Sequence, residues 1–283
     1  MRSRLNRGAL QEASVETVAL SVTTAAVERA RSRIPEEVPI AITVNGSTYA
    51  VLMATPSGLE DFGVGFALTE GMIEHPAEIV DLQVLAVGNG IEVRLWLLQE
   101  RANALAARRR ASLGPVGCGL CGIESLAQAL RELPFVSSDE KPLTVAEVMA
   151  AGDLLKAEQN LHQLTGLSHA AGFLQRGNGL LASAEDVGRH NALDKLLGHL
   201  ARVGIPARSG AIVLTSRISL ELVQKAAMAQ CPVLISVSGP TALAVQQAQA
   251  AGITLAGYAH EGSFEIYCHS SRIEGLNVAA PLS

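Results

Sequence analysis

Aromatic residues make up only 3% of this 283-residue chain, with a single tryptophan among them. That scarcity, beside abundant Ala, Leu, Val and Gly, argues against an all-β protein and for a lean α/β composition. Charge is sparse as well: 17% of residues carry one, and the formal balance is −5. That sign argues against a general nucleic-acid or membrane-surface binder. No apolar run approaches the ~20 residues that a membrane helix needs. The basic start "MRSRLNRGAL" has no apolar stretch behind it, so it does not read as a secretory signal. Internal repeats and low-complexity tracts are missing too. Cysteines number four, two of them in one CxxC. With 48% hydrophobic residues the chain can bury a core without disulfide staples, and this cysteine usage fits a reducing cytoplasm.

What is present divides at "LPFVSSDEKPLTV", a polar, proline-bearing stretch at 133–145. Residues 1–36 read as a partly disordered leader with one strand at "VETVAL". An α+β domain is expected over 37–135, and a larger α/β domain over 136–275. In the first, "PIAITVNGSTYAVLMAT" reads as a hairpin, because Asn45-Gly46 suits the positive φ values of a tight type I′ turn. "LEDFGVGFALTEGMI" is helical with a stop at Gly71, and a second hairpin turns at Gly88-Asn89-Gly90. In the second, a long helix is predicted over 145–166 and a strand pair turning at Gly177-Asn178-Gly179. An amphipathic helix follows, with Ala192, Leu193, Leu196, Leu197 and Leu200 on one face. The remaining alternation, "AIVLT", "SLELVQKAAMAQ", "PVLISVS", "TALAVQQAQAAG", "ITLAGY" and "FEIYC", predicts a mostly parallel sheet.

Two stretches carry chemistry. "GPVGCGLCGIESL" at 114–126 sets Cys118 and Cys121 three apart among glycines, ahead of the helical pattern Ile123, Leu126, Ala127, Leu130. A helix N-terminus there would lower a thiol pKa, and Gly117, Gly119 and Gly122 leave the backbone free and the sulfurs unshielded. Three readings stay open on pattern alone. A zinc clip needs four ligands, and Cys231 and Cys268 sit in or beside apolar strand segments. A thioredoxin-like pair would follow a strand, which "RANALAARRRASLGP" does not resemble. The third reading is a reactive carrier thiol with a resolving partner. The other stretch, "AEDVGRHNALDKLLGHL", packs Glu185, Asp186, Arg189, His190, Asn191, Asp194 and Lys195 into eleven positions. Read alone it is a helix with solvated charges, Asn191 as candidate cap and Gly188 as its sharp entry.

Together the two stretches resemble the FdhD family of formate dehydrogenase accessory proteins. "LTEGMI" at 68–73, "TGLSHAA" at 165–171, "SRISLELVQKA" at 216–226 and the run from 232 to 267 fit in the same order. The resemblance implies a sulfurtransferase. Its members take sulfur from a cysteine desulfurase as a cysteine persulfide and pass it to the molybdenum bis(molybdopterin guanine dinucleotide) cofactor before that enters the formate dehydrogenase catalytic subunit. It implies Cys118 as the persulfide carrier with Cys121 assisting, and a homodimer. It also implies a C-terminal cytidine deaminase-like three-layer domain that binds the dinucleotide, with GDP as a mimic and no metal held by the protein alone.

Parallel α/β sheets bind nucleotides beyond the carboxyl ends of their strands. The cofactor-binding candidates are therefore Arg189 and His190, Arg217, Ser238, and Tyr258, Ala259, His260, Glu261, Gly262 and Ser263. The chain departs from the family pattern at Ser216, often glycine, at His260, often arginine, at Ser263, commonly basic, and at Gly117, commonly serine. Nucleic acid and membrane are not expected partners. A zinc deaminase is disfavoured, because no H-x-E is followed by P-C-x-x-C. The alternatives are a thiol–disulfide oxidoreductase and a non-catalytic formate dehydrogenase chaperone.

Overall fold

The structure, a computed structural model, describes residues 2–5, 12–112, 132–137 and 142–276. Cys118, Cys121 and the helical pattern after them lie outside the described residues. The elements run β1 (Arg2–Leu5), β2 (Ser14–Val22), β3 (Val27–Pro35), β4 (Val38–Val44), β5 (Ser47–Ala54), α1 (Leu59–Thr69), β6 (Ile79–Val87), β7 (Gly90–Leu97) and α2 (Gln99–Ser112). Then come β8 (Leu143–Thr144), α3 (Val145–Ala157), α4 (Asn160–Thr165), β9 (His169–Gln175), β10 (Gly179–Asp186), α5 (Arg189–Val203) and β11 (Ala211–Leu214). The last are α6 (Leu220–Met228), β12 (Val233–Ser236), α7 (Ala242–Ala251), β13 (Thr254–His260), β14 (Ser263–Cys268) and β15 (Ile273–Glu274).

The first sheet has the order β1-β6-β7-β4-β5. Alternation in β4 turns Val38, Ile40, Ile42 and Val44 to one buried side. Helix α1 covers that side with Phe62 and Phe66 in the same core. The β4–β5 turn is as expected: Asn45 (φ 47°) and Gly46 (φ 82°) both take the left-handed values of a two-residue hairpin.

The second sheet has the order β10-β9-β11-β12-β13-β14. Strand β11 reads "AIVL" and is buried on both faces. Ile212 and Leu214 share a core with α5, α6 and α7 through Leu193, Leu196, Val223, Ala226 and Ala248. Ala211 and Val213 meet α3 through Val148, Ala151 and Leu155. Helices therefore lie on both faces. The mostly parallel sheet holds only for β11, β12 and β13. Strands β10 and β14 pair antiparallel with β9 and β13, because tight turns at Gly177-Asn178 and Glu261-Gly262 return the chain directly beside itself, and β9 also runs antiparallel to β11.

Three further expectations are corrected. The long helix over 145–166 is two, α3 and α4, broken at Glu158 and Gln159. The break is stabilised from a distance: the Glu185 carboxylate accepts the free N–H groups of Leu161 (2.7 Å) and His162 (2.9 Å) that open α4. Asn191 caps nothing, since α5 starts at Arg189 after Gly188. Segment 1–36 carries β1 and β3 beside the expected strand, which is part of β2 and pairs with β3 as a long hairpin.

Candidate functional site

The carboxyl ends of β11, β12 and β13 lie on one edge of the second sheet, and that of β10 shares it. Backbone bonds stitch the loops that leave them. Ile218 N–H donates to Gly239 O (3.2 Å), Thr241 N–H to Ile218 O (3.0 Å), and Tyr258 N–H to Ser238 O (3.1 Å). The Ser236 hydroxyl, fully buried, donates to Ser216 O at 2.6 Å and accepts from Ser238 N–H at 2.9 Å. Arg217, Ser238 and Tyr258 are thus held on one rim. Tyr258 sits at φ 53°, a costly angle for a bulky residue, inside a bulge between Gly257 and His260. A Cβ at Gly239 would fall 2.4 Å from the Tyr258 hydroxyl oxygen, so only glycine lets the ring lie there. His260, Glu261, Gly262 and Ser263 form the exposed β13–β14 turn, closed by a Ser263 hydroxyl donating to His260 O (3.2 Å). Ala259 is fully buried against α3 and offers no side chain to the rim.

The charged motif of residues 185–195 divides in two. Asp186, Asn191, Asp194 and Lys195 are all buried, which overturns the solvated-charge reading. Asp186 meets Lys195 Nζ at 2.6 Å and accepts from Thr55 N–H (3.0 Å), Gly188 N–H (2.8 Å) and Asn191 Nδ2 (3.0 Å). Lys195 donates on to Thr55 O (2.9 Å), and Asn191 to Met53 O (2.9 Å). Asp194 accepts from Lys225 Nζ at 2.9 Å and from the Thr69 hydroxyl at 2.8 Å. Burial holds the Lys195 ammonium below the usual lysine range, against the pull of Asp186. These groups bind α5 and α6 to the β5–α1 connection and the end of α1. They belong to the frame, and the rim rests on them.

Arg189 and His190 stand apart from these pairs. Among the described residues, three side-chain atoms are buried with no hydrogen-bond partner: Arg189 Nε, His190 Nε2 and Ser219 Oγ. They gather where α5 and α6 begin, His190 Nε2 lying 3.8 Å from Glu221 Oε2. Burial, then the Arg189 charge, pulls His190 down to about 4, so it is neutral near pH 7. A neutral imidazole and a guanidinium N–H beside two helix N-termini are suited to the oxygens of an anion, while the Ser219 hydroxyl lies against Glu221 and holds that carboxyl below its usual range. The His190 shift has a measurable consequence. Between about 6.5 and about 4 the unfolded chain takes up a proton that the native histidine refuses, so stability falls as pH falls. His190→Gln is expected to flatten that part of the stability–pH curve in urea titrations.

The structure therefore brings Arg217, Ser238 and Tyr258 together, with Arg189 and His190 at the same edge beside α6. Sequence reading missed Thr55, Thr69, Ser219 and Lys225 as partners. One signal was available: Asn191, Asp194, Lys195 and Gly198 fall at i, i+3, i+4 and i+7, a polar stripe facing α1. Of the four cysteines, Cys231 and Cys268 are described and buried, as expected. Burial pushes the Cys231 thiol up to about 11 and raises Cys268, so neither is a ready thiolate. Groups of three or more His, Cys, Asp or Glu that could hold a metal do not occur among the described residues.

The frame is that of a mixed α/β protein with a polar loop rim at strand carboxyl ends. The FdhD/NarQ family model matches residues 35–274, and the chain belongs to that family. It is 48% identical over 266 residues to the sulfur carrier protein FdhD of Agrobacterium fabrum, covering 93% of this chain and 97% of the relative. The sulfur carrier protein FdhD of Brucella abortus is 45% identical over 240 residues, 85% of this chain and 89% of its own. Among solved structures, a candidate formate dehydrogenase accessory protein from Desulfotalea psychrophila superposes with a TM-score of 0.72 at 23% identity. That match covers 92% of this chain and 99% of the other, and shows the fold.

Proposed function

We propose that this chain is a sulfur carrier that serves formate dehydrogenase. Cys118 is the persulfide carrier: its thiolate attacks the outer sulfur of a cysteine desulfurase persulfide, and the desulfurase thiolate leaves. Cys121 assists release. The acceptor is the molybdenum bis(molybdopterin guanine dinucleotide) cofactor, held as substrate at the rim of Arg189, His190, Arg217, Ser238 and residues 258–263. In this reading residues 136–275 form a cytidine deaminase-like domain, residues 37–135 an α+β domain that carries the CxxC loop, and the protein works in the cytoplasm as a homodimer. No helix among the described residues is long and apolar enough to cross a membrane.

The observation that carries the reading is the division of thiols in a chain of the FdhD/NarQ family. Cys231 and Cys268 are packed inside with raised pKa values, which leaves sulfur chemistry to Cys118 and Cys121. The unpartnered Arg189 and His190 atoms support an anionic, oxygen-rich ligand at the neighbouring edge.

The test is intact-mass spectrometry after incubation with a desulfurase and cysteine. A gain of ~32 Da per persulfide is expected, lost in Cys118→Ala and kept in Cys231→Ala. A mass gain that survives Cys118→Ala removes the carrier role from that residue. Disulfide reductase activity without affinity for GDP would indicate a thiol–disulfide oxidoreductase instead. Formate dehydrogenase activation that persists without Cys118 and Cys121 would indicate a chaperone.

A further inference from the structure

The β2–β3 hairpin stands almost entirely ahead of the family match, which begins at residue 35. Among the described residues its strands pair only with each other, residue 14 with 35 through residue 22 with 27. Alternation puts Glu16, Val18, Leu20 and Val22 on one face, with Val27, Arg29, Arg31 and Arg33 opposite them on β3. Val18, Leu20, Val22 and Val27 on that face are 63–70% exposed, an apolar strip left uncovered among the described residues. Packing of β3 against α4 supports the ribbon, and the apolar strip is left exposed beside it, a face that further strands would extend and cover.

The two free edges differ. Strand β3, "VERARSRIP", carries three arginines, a glutamate and a terminal proline, all of which discourage another strand. Strand β2, "SVETVALSV", has one charge and neither proline nor lysine over nine residues. That charge, Glu16, is already held by Arg31 of its own hairpin at 2.8 Å. The β2 edge therefore offers nothing that would select a charged foreign strand.

It does fit itself. Antiparallel pairing of β2 with a second β2 about Val18 puts Val18 opposite Val18, Glu16 opposite Leu20 and Ser14 opposite Val22. No like charges meet, and the apolar strip continues across the two-fold. We propose that β2 pairs with β2 of a second copy of this chain, giving a four-stranded sheet in the order β3-β2-β2-β3. This rests on the homodimer reading and assigns it a surface.

The test is a charge swap at the two-fold, read by sedimentation of the full chain. The wild type is expected at twice 29.5 kDa. Val18→Lys alone and Val18→Glu alone are each expected at the single-chain mass, because like charges then lie directly opposite each other. An equimolar mixture is expected to return to the double mass, a rescue that a folding defect cannot produce. Amide exchange over residues 14–22 should slow as wild-type concentration rises. If both variants stay dimeric, the chain dimerises elsewhere and the β2 pairing is wrong; if the variants are monomeric and their mixture stays monomeric, the β2 pairing is wrong as well. A monomeric wild type overturns the pairing and the dimer together. Binding of the monomer to vesicles of anionic lipid through these residues would also overturn the pairing.

Discussion

Gly65→Ala is expected to lower the stability of this protein by about 3 kcal/mol, the upper end of the overpacking range, or more. A helical glycine exchanged for alanine ordinarily gains up to ~1 kcal/mol from helix propensity. Here the sign inverts. A Cβ on Gly65 would fall 1.8 Å from the Asp194 carbonyl oxygen, and one on Gly198 1.8 Å from the Asp61 carbonyl oxygen. Both obstacles are helix backbone, so neither can swing aside as a side-chain tip would. Helices α1 and α5 cross with their backbones almost touching, and this contact joins the layer over the first sheet to the layer over the second. Thermal unfolding is the measurement, with a midpoint lower by roughly 5–10 °C expected for either Gly65→Ala or Gly198→Ala. Gly88→Ala is the control, a turn position at φ 57° with nothing within 4 Å. It should cost only the ~1–2 kcal/mol of a left-handed residue. Equal losses at Gly65 and Gly88 would show that the helices can separate to admit a methyl group.

Lys225→Met should be as damaging for an electrostatic reason. Lys225 is 7% exposed and reaches both carboxylate oxygens of Asp194, itself 1% exposed, at 2.9 Å. It also lies 2.9–3.0 Å from three acceptors once the Thr69 hydroxyl is counted. Removing one member of a buried pair strands the other charge, a loss of about 3–5 kcal/mol. Burial already pushes the Asp194 carboxyl up, against the pull of Lys225. Without the lysine that shift grows, and the native state binds a proton that the unfolded chain releases near the ordinary value of 3.8. Stability of the Lys225→Met variant should therefore rise as pH falls towards that value. The double variant Lys225→Met, Asp194→Leu should recover much of the loss, since a buried pair replaced by apolar groups of similar size is often neutral. Urea unfolding of the three proteins at two pH values measures all of this. If the single variant is as stable as wild type at neutral pH, the pair does not fix α6 to α5.

These two sites show where sequence reading stopped. The polar positions of α5 fall on the stripe that faces a neighbouring helix, as Leu193 and Leu196 fall on the stripe that faces the sheet. Spacing marks the stripe but not its surroundings. Asp186 and Lys195 pair at short range in sequence, whereas Thr55 and Thr69 come from more than a hundred residues upstream. The α3–α4 break has the same origin, since Glu185 is far along the chain from the N–H groups it receives. The β2–β3 hairpin was half seen, because its apolar residues face outward and mark no core.

By itself the sequence determined the local geometry. Asn45-Gly46 must turn tightly because both angles are left-handed, "AIVL" must be an interior strand, and two motifs in order define the family. Only the tertiary structure decided what the charges of 185–195 do. Two glycines let α1 and α5 approach until Asp186, Asp194 and Lys195 lost their water. A charge out of water must take the nearest partner that folding supplies, and that partner is set by the approach of distant segments.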